Sequence, residues 1–299
     1  MRGMSFPSKR RRPVDTITHT LFGLTLYGAA DKRELQPNEK RALFVTTLVG
    51  SQIPDSDVIS RLWDTEGMYQ MWHRGITHSI FLVPLFALLI YILVRLLFKV
   101  TDVRYFWWAL LSVFIHNTAD LFNAWGTGYF EPLSDVRVTF GVIPIVDFVY
   151  WGIFLVAWLV ARRTDVRHTV YRYAWAAIVV HVLIQSAQGA YLYQSYAADH
   201  DEVALSASFI PTQFTVITKT DEVVSIYSDS VYQNPEVQYE LTSAEDADLN
   251  PLFAENKEAI TLKQWSPFVV VVEDDERLGL YDPRFFDGES SFLYEYIEL

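Results

Sequence analysis

Four of the seven histidines in this 299-residue chain stand close to aspartates at spacings that could do chemistry. His19 lies in Thr-His-Thr, and Asp55 and Asp57 form Pro-Asp-Ser-Asp. His73 and His78 delimit His-Arg-Gly-Ile-Thr-His. His116 and Asp120 are four residues apart, which puts both on one face of a helix. Asp147 follows Pro144 by three positions. Neutral imidazoles with carboxylates, and no thiolate, suit a divalent ion such as zinc, manganese or iron. One catalytic zinc needs three protein ligands, so a set of this size would serve two or three ions and relieve repulsion among its carboxylates. The plainer reading is that Asp and His at helix ends are caps or headgroup contacts. Asp147 suits either role, and His19 depends on whether its helix forms as expected.

A metal centre of this kind lowers the pKa of water to about 7 and stabilises the oxygens of a phosphoryl group in displacement. Asp57 could then orient the nucleophile as a base. Arg74 and Arg137 are the nearest candidates to clamp a phosphate bidentately, or else to meet lipid headgroups or carboxylates. His181, Gln185 and Gln188 share one helix face and read as interhelical hydrogen bonding.

The elements that must position these residues are mostly apolar. Residues 79–100, 105–122, 143–161 and 171–193 each approach the roughly 20 residues that cross a bilayer core. The shorter runs 17–30 and 42–53 could form a helical hairpin or short tilted spans. The expectation is therefore a mainly α, multi-pass protein of the cell membrane with four to six spans. Basic residues concentrate at 31–41, 95–104 and 162–172, which predicts cytoplasmic loops there and puts 54–77, 123–142 and everything after 194 outside. Most of the candidate residues then gather at one face. The cluster at residues 9–12 fits this topology only if 17–30 does not span. Its four charges suit headgroups, and no nucleic-acid partner is expected.

The chain is sharply divided. Residues 199–299 carry 22 acidic and 5 basic residues, whereas residues 1–198 carry 14 and 19, for an overall net charge of −12. The division predicts a helical membrane domain over 1–198 and an acidic, β-rich extramembrane domain over 199–299. Strands are expected at 214–228, 237–241 and 265–272. The chain has no cysteine, so disulfides and thiolate sites are excluded.

The motifs THTLFG, PDSD, HRGITHS and HNTAD, with Trp125-Gly126-Thr127, Glu131-Pro132-Leu133-Ser134 and Arg137, resemble the LexA-regulated, membrane-bound metal-dependent hydrolases. A looser likeness continues through Thr261–Phe268 and Tyr281–Phe285. That family resembles, more distantly, zinc-dependent phospholipase C and single-strand nucleases. The resemblance implies a metal cluster, most naturally of zinc, held by His19, Asp55, His73, His78, His116 and Asp120, with Asp57 and Asp147 as supporting or additional ligands. The soluble relatives also use their N-terminal amine, which a basic extension before Asp15 would displace. A phosphoester substrate and contact with membrane lipid are the expectations. A non-enzymatic membrane scaffold with a structural metal is the alternative.

Overall fold

A computed structural model describes residues 15–299; the basic cluster at 9–12 lies outside the described residues. Helix α1 (Thr16–Ala29) begins where the Asp15 carboxylate accepts from the Thr18 N–H at 3.1 Å, satisfying one orphan donor of the first turn. Helix α2 (Pro37–Gly50) opens on a proline, which lacks a donor the first turn cannot use, and Glu39 accepts from the Gln36 N–H at 2.8 Å. A 3₁₀ helix (Pro54–Leu62), α3 (Tyr69–Trp72) and a 3₁₀ turn (Ile76–His78) follow. The long helices are then α4 (Val83–Phe98), α5 (Arg104–Leu121), α6 (Phe148–Ala161) and α7 (Arg167–Ala197).

Helices α2, α4 and α5 pack around Leu43, Ala87, Ile90, Tyr105 and Val113. Helices α1, α6 and α7 pack around Phe22, Tyr150, Phe154, Ala174 and Ile178. Two glycines allow close approach. A Cβ at Gly23 would lie 3.0 Å from Leu48 Cα and Thr47 O, and one at Gly50 would lie 2.7 Å from Ser112 Cβ. The contacts draw α1 and α5 onto α2, bringing His19 and His116 together.

The expectation of four to six spans is overturned. Among the described residues one helix, α7, is long and apolar enough to cross a membrane, or two if Tyr69–His78 and Val83–Phe98, bent by 72° at their junction, count as one broken span. The apolar runs are longer than the helices they make. Run 79–100 loses its first four residues to a turn and stops at Lys99, whose φ is +53°. Run 143–161 yields the 14-residue α6 because Asp147 caps it late, and 14 residues rise only about 21 Å against a core of about 30 Å. Helix α5 has 18 residues but devotes its last turns to buried His116, Asn117 and Asp120. Helices α1 and α2 have 14 residues each.

After α7 the chain becomes a meander of β1 (Glu202–Ala207), β2 (Phe214–Thr220), β3 (Val223–Asp229) and β4 (Glu236–Thr242), all neighbours antiparallel. Helices α8 (Asn250–Glu255) and α9 (Lys257–Trp265) precede a second antiparallel sheet of β5 (Val270–Glu273), β6 (Arg277–Tyr281) and β7 (Tyr294–Glu298). The sheets share a core of Ile217, Val224, Ile226, Val270 and Tyr281. The stretch 265–272 is not all strand. Trp265 closes α9, whose start is capped by Asn256, and β5 begins only at Val270, after Pro267.

The two parts of the chain are seated on each other. Trp125 packs edge-on to Trp265 at 5.1 Å and to Phe285 at 5.6 Å. Arg284, paired with Asp282, donates from Nη1 to the Ala124 carbonyl at 2.5 Å. Gly50→Val should destabilise the fold by about 1–3 kcal/mol, the usual cost of overpacking, because the new side chain meets Ser112 on a packed helix face. Equilibrium unfolding in detergent, compared with Gly152→Ala where a Cβ meets nothing within 4 Å, measures this.

Candidate metal centre

Five separate segments deliver the site: α1, the 3₁₀ helix Pro54–Leu62, the loop after α3, the turn Ile76–His78 and the last two turns of α5. One ligand atom from each of Asp55, His78, His116 and Asp120 lies within 4.8 Å of the others, and all four residues are buried. Asp55, Asp57 and His73 form a second such group, sharing Asp55 with the first.

The hydrogen bonds behind the histidines set which nitrogen is bare. His116 Nδ1 lies 2.8 Å from the Ser51 carbonyl, which can only accept, so in the neutral ring the proton is on Nδ1 and Nε2 carries a lone pair. Thr77 donates its hydroxyl proton to Asp57 Oδ2 at 2.8 Å and so can accept from His78 Nδ1, 3.1 Å away; burial opposes a second proton on His78, but Asp120, Asp55 and Asp57 prevail and favour one on Nε2 until a cation displaces it. The two Nε2 atoms face each other at 3.2 Å. Asp55 Oδ1 lies 3.5 and 3.6 Å from them, and Asp120 Oδ2 lies 3.3 and 3.7 Å. Asp55 Oδ2, Asp120 Oδ2 and His19 Nδ1 are buried without a hydrogen-bond partner.

Charge points the same way. The Arg74 guanidinium approaches Asp120 Oδ1 at 3.2 Å, whereas Asp55 and Asp57 are met by the histidines and Asp57 also by the charge of Arg137. Two carboxylates within 4.8 Å repel by roughly 3–4 kcal/mol at an effective dielectric of about 20. The buried carboxylates of Asp55 and Asp120 favour positive charge between them, which a proton on His78 or a divalent ion would supply. Imidazole nitrogens, carboxylate oxygens and charge thus all fit a divalent cation, and the buried cluster of Asp55, His78, His116 and Asp120 could hold one.

Asp57 is differently occupied. Its Oδ1 meets His73 Nδ1 at 2.9 Å, and its Oδ2 accepts from the Arg74 N–H and the Thr77 hydroxyl, both at 2.8 Å. Burial opposes its ionisation, but bonds with His73 and His78 prevail and hold it below the usual carboxylate range. Asp55 is likewise held low, with burial outweighed by His116 and His78. Arg74 has φ +57°, a conformation rarely open to a side-chain-bearing residue. Asp57 ties its N–H, and Arg137 Nη1 donates to its carbonyl at 2.8 Å. Arg137 Nη2 also donates to the Met71 carbonyl, so its fork holds this loop. Arg74 itself spends Nη1 on Asn123 Oδ1 at 2.9 Å. Neither arginine presents a free fork as the sequence suggested.

His19 stands beside the cluster, its ring stacked on His116 at 3.7 Å and its Nε2 3.5 Å from Asp120 Oδ1. Asp147 belongs to neither group. It caps α6, accepting from Val149 N at 2.7 Å, and its Oδ2 meets His181 Nε2 at 2.9 Å. Supporting residues the sequence did not single out are Thr77, Asn123 and the Ser51 carbonyl. Thr77 sits inside the HRGITHS motif and could have been noticed there, whereas a backbone carbonyl leaves no signal.

Asp57→Asn should weaken metal affinity about 10–100-fold by loosening His73, the usual cost of losing such a support. Asp147→Ala should cost about 1 kcal/mol of stability as a lost cap and leave metal content unchanged. Competition with a chelating dye and elemental analysis on the purified variants check both.

Residues 14–192 match the YdjM inner membrane protein family. The Bacillus subtilis (strain 168) protein described as "Uncharacterized protein YfhP" is 36% identical over 138 residues, which is 45% of this chain and 42% of that protein, so the match spans less than half of either. No solved structure matches. The matched segment holds every candidate residue from His19 to Asp147 and covers more than half of the chain. The chain therefore belongs to the YdjM inner membrane protein family, the LexA-regulated membrane family, and with it to the cell membrane.

Proposed function

We propose that the protein is a membrane-bound, metal-dependent hydrolase of a phosphoester. The observation that carries the reading is the convergence of His78 Nε2 and His116 Nε2, 3.2 Å apart, with carboxylate oxygens of Asp55 and Asp120 in one buried cluster. Asp55, His78, His116 and Asp120 would hold one ion, and Asp55, Asp57 and His73 outline a second position, so a two-ion centre is the favoured form and zinc, which suits these ligands, the favoured metal. Such ions supply water of lowered pKa and charge that offsets developing negative oxygens.

The chain's own residues do the rest. Asp57 fixes the orientation of His73 and His78 and so acts as a positioning residue. Arg74 and His19 occupy Asp120 Oδ1 and leave Oδ2 turned toward the imidazoles. Arg137 stiffens the His73–Arg74 turn from behind.

The exposed apolar residues of α4, α6 and α7, among them Leu89, Leu96, Leu155, Trp158, Leu183 and Ile184, form surfaces larger than a water-bathed protein usually leaves open and are proposed to meet lipid. Basic residues at the start of α7 favour a cytoplasmic end there, which would put residues 199–299 outside the cell.

Protein purified in detergent without chelator should carry one to two equivalents of a transition metal and cleave a chromogenic phosphoester, with both lost together in His116→Ala. Metal loading should also fall progressively on acidification: His78, which its carboxylate neighbours hold above the ordinary imidazole range, takes a proton first, and His73 and His116, which burial holds below it, take theirs later. Metal bound with no turnover on any phosphoester would mark the centre as structural. No metal uptake after dialysis against zinc or manganese would overturn the reading.

A further inference from the structure

One stretch of the C-terminal region lacks the charge of its surroundings. Residues 199–299 carry 22 acidic and 5 basic residues, yet residues 203–218 carry none, the longest uncharged run after residue 199. This run is the hairpin of β1 and β2, and its tip is the apolar Phe209-Ile210-Pro211. Phe209 and Ile210 are 65% and 63% exposed, so the tip does not serve the core of the sheets.

The tip is held against the helices rather than left free. The Phe209 ring lies 5.8 Å from that of Phe148, the first residue of α6. The Thr212 N–H donates to Gln185 Oε1 at 3.1 Å. Gln185 is buried midway along α7, so a carboxamide expected to link helices holds a hairpin instead. Thr212 has φ +72°, a conformation uncommon for a residue with a side chain, and this bond fixes it. The Ser208 N–H donates to the Gln213 carbonyl at 2.9 Å and the Gln213 N–H to the Ile210 carbonyl at 3.2 Å. The Ile210 N–H meets Ser208 Oγ at 3.3 Å, and Pro211 has no N–H to satisfy. A tip with most of its donors met internally, and no charge, can leave water at low cost.

The helices set the level of the tip. Helices α6 and α7 are joined at a basic end, Arg162, Arg163 and Arg167, and are tied near the other by Asp147 and His181. From the arginines, the 14-residue α6 rises only about 21 Å, so a hydrocarbon core of about 30 Å extends about 9 Å beyond Phe148. Along α7 the same thickness, about 20 residues, ends near Ala187. Exposed Tyr191 and Tyr193 come next, where tyrosines favour the headgroup level. Phe148 and Gln185 both lie on the core side of that boundary, and the tip is bonded to one and packed on the other. Its neighbours Leu183 and Ile184 are exposed and apolar.

We infer that the β1–β2 tip is embedded in the lipid leaflet at the C-terminal end of α7. Phe209 and Ile210 supply there the apolar surface that α6 is too short to supply. The absence of charge over residues 203–218 and continuity with the exposed face of α7 commit this surface to lipid. The acidic region is then anchored by a hairpin as well as by the helix before it. The inference rests on α7 crossing the membrane and is independent of the hydrolase reading.

Spin labelling of the full chain in phosphatidylcholine–phosphatidylglycerol vesicles tests this. The chain has no cysteine, so single cysteines take the label without background. Four exposed positions are compared: Ile210→Cys at the tip, Leu183→Cys and Tyr191→Cys on α7, and Glu222→Cys in the turn between β2 and β3. Collisions with oxygen, which concentrates in lipid, and with a nickel chelate, which stays in water, report depth. Oxygen should exceed the chelate at 210 as it does at 183, with a depth greater than at 191, and the order should reverse at 222. Chelate excess at 210 with oxygen excess at 183 would overturn the placement of the tip and leave α7 in the membrane. Chelate excess at both would overturn the tip and the span together. Weak collisions with both reagents at 210, with spin–spin broadening that fades on dilution into more lipid, would put a second copy on the tip and overturn lipid as its occupant.

Discussion

The structure turns on a local excess of acceptors. Four side chains from distant segments bring two imidazole nitrogens and two carboxylate oxygens to within 4.8 Å of one another, in a region closed to water. Acceptors do not attract acceptors, so the arrangement must be held from behind. The Ser51 carbonyl holds His116, Thr77 and Asp57 hold His78, and Arg74 with His19 holds Asp120. Asp57 joins the layers, because the same carboxylate also fixes His73 and the strained backbone of Arg74.

That demand explains features of the helices that packing alone would not ask for. Gly23 and Gly50 let α1, α2 and α5 approach closely enough for residues 19 and 116 to stack. Helix α5 ends in a polar turn buried as deeply as its apolar middle: His116 and Asn117 are as inaccessible as Ala109 and Val113. Where an apolar run ends in a ligand or a cap, the helix it forms is shorter than the run. Among the described residues, a membrane-family protein thereby has one helix of full spanning length, or two with the bent pair, and a broad apolar surface on its shorter ones.

The C-terminal region is tied to this framework by specific contacts. Arg284, charged and nearly inaccessible, reaches from the second part of the chain to the Ala124 carbonyl in the first. Trp125 lies between, with His73 on one side and Trp265 on the other. Burying an arginine is costly unless it is paired and bonded, and Asp282 with Ser266 supplies that pairing. The seam is thus fixed by specific contacts, and Trp125 links it to His73.

Much of the centre was legible in the sequence because its ligand types are rare at helix ends and its helical pair, His116 and Asp120, obeys a simple four-residue spacing. The β-branched tail announced a strand-rich region for the same kind of reason, although β1, β6, β7, α8 and α9 were missed because short elements carry little periodicity. Hydropathy determined which residues would avoid water, but not how many would stay helical, since caps such as Asp147 and the left-handed Lys99 end helices inside apolar runs. Only the tertiary structure decided the parts. It gave Asp147 to His181 and the α6 cap, placed Arg74 on Asp120 and put Arg137 on backbone carbonyls. A side chain's partner depends on which segments meet, and for residues separated by up to about a hundred positions that meeting is set by packing of the whole chain.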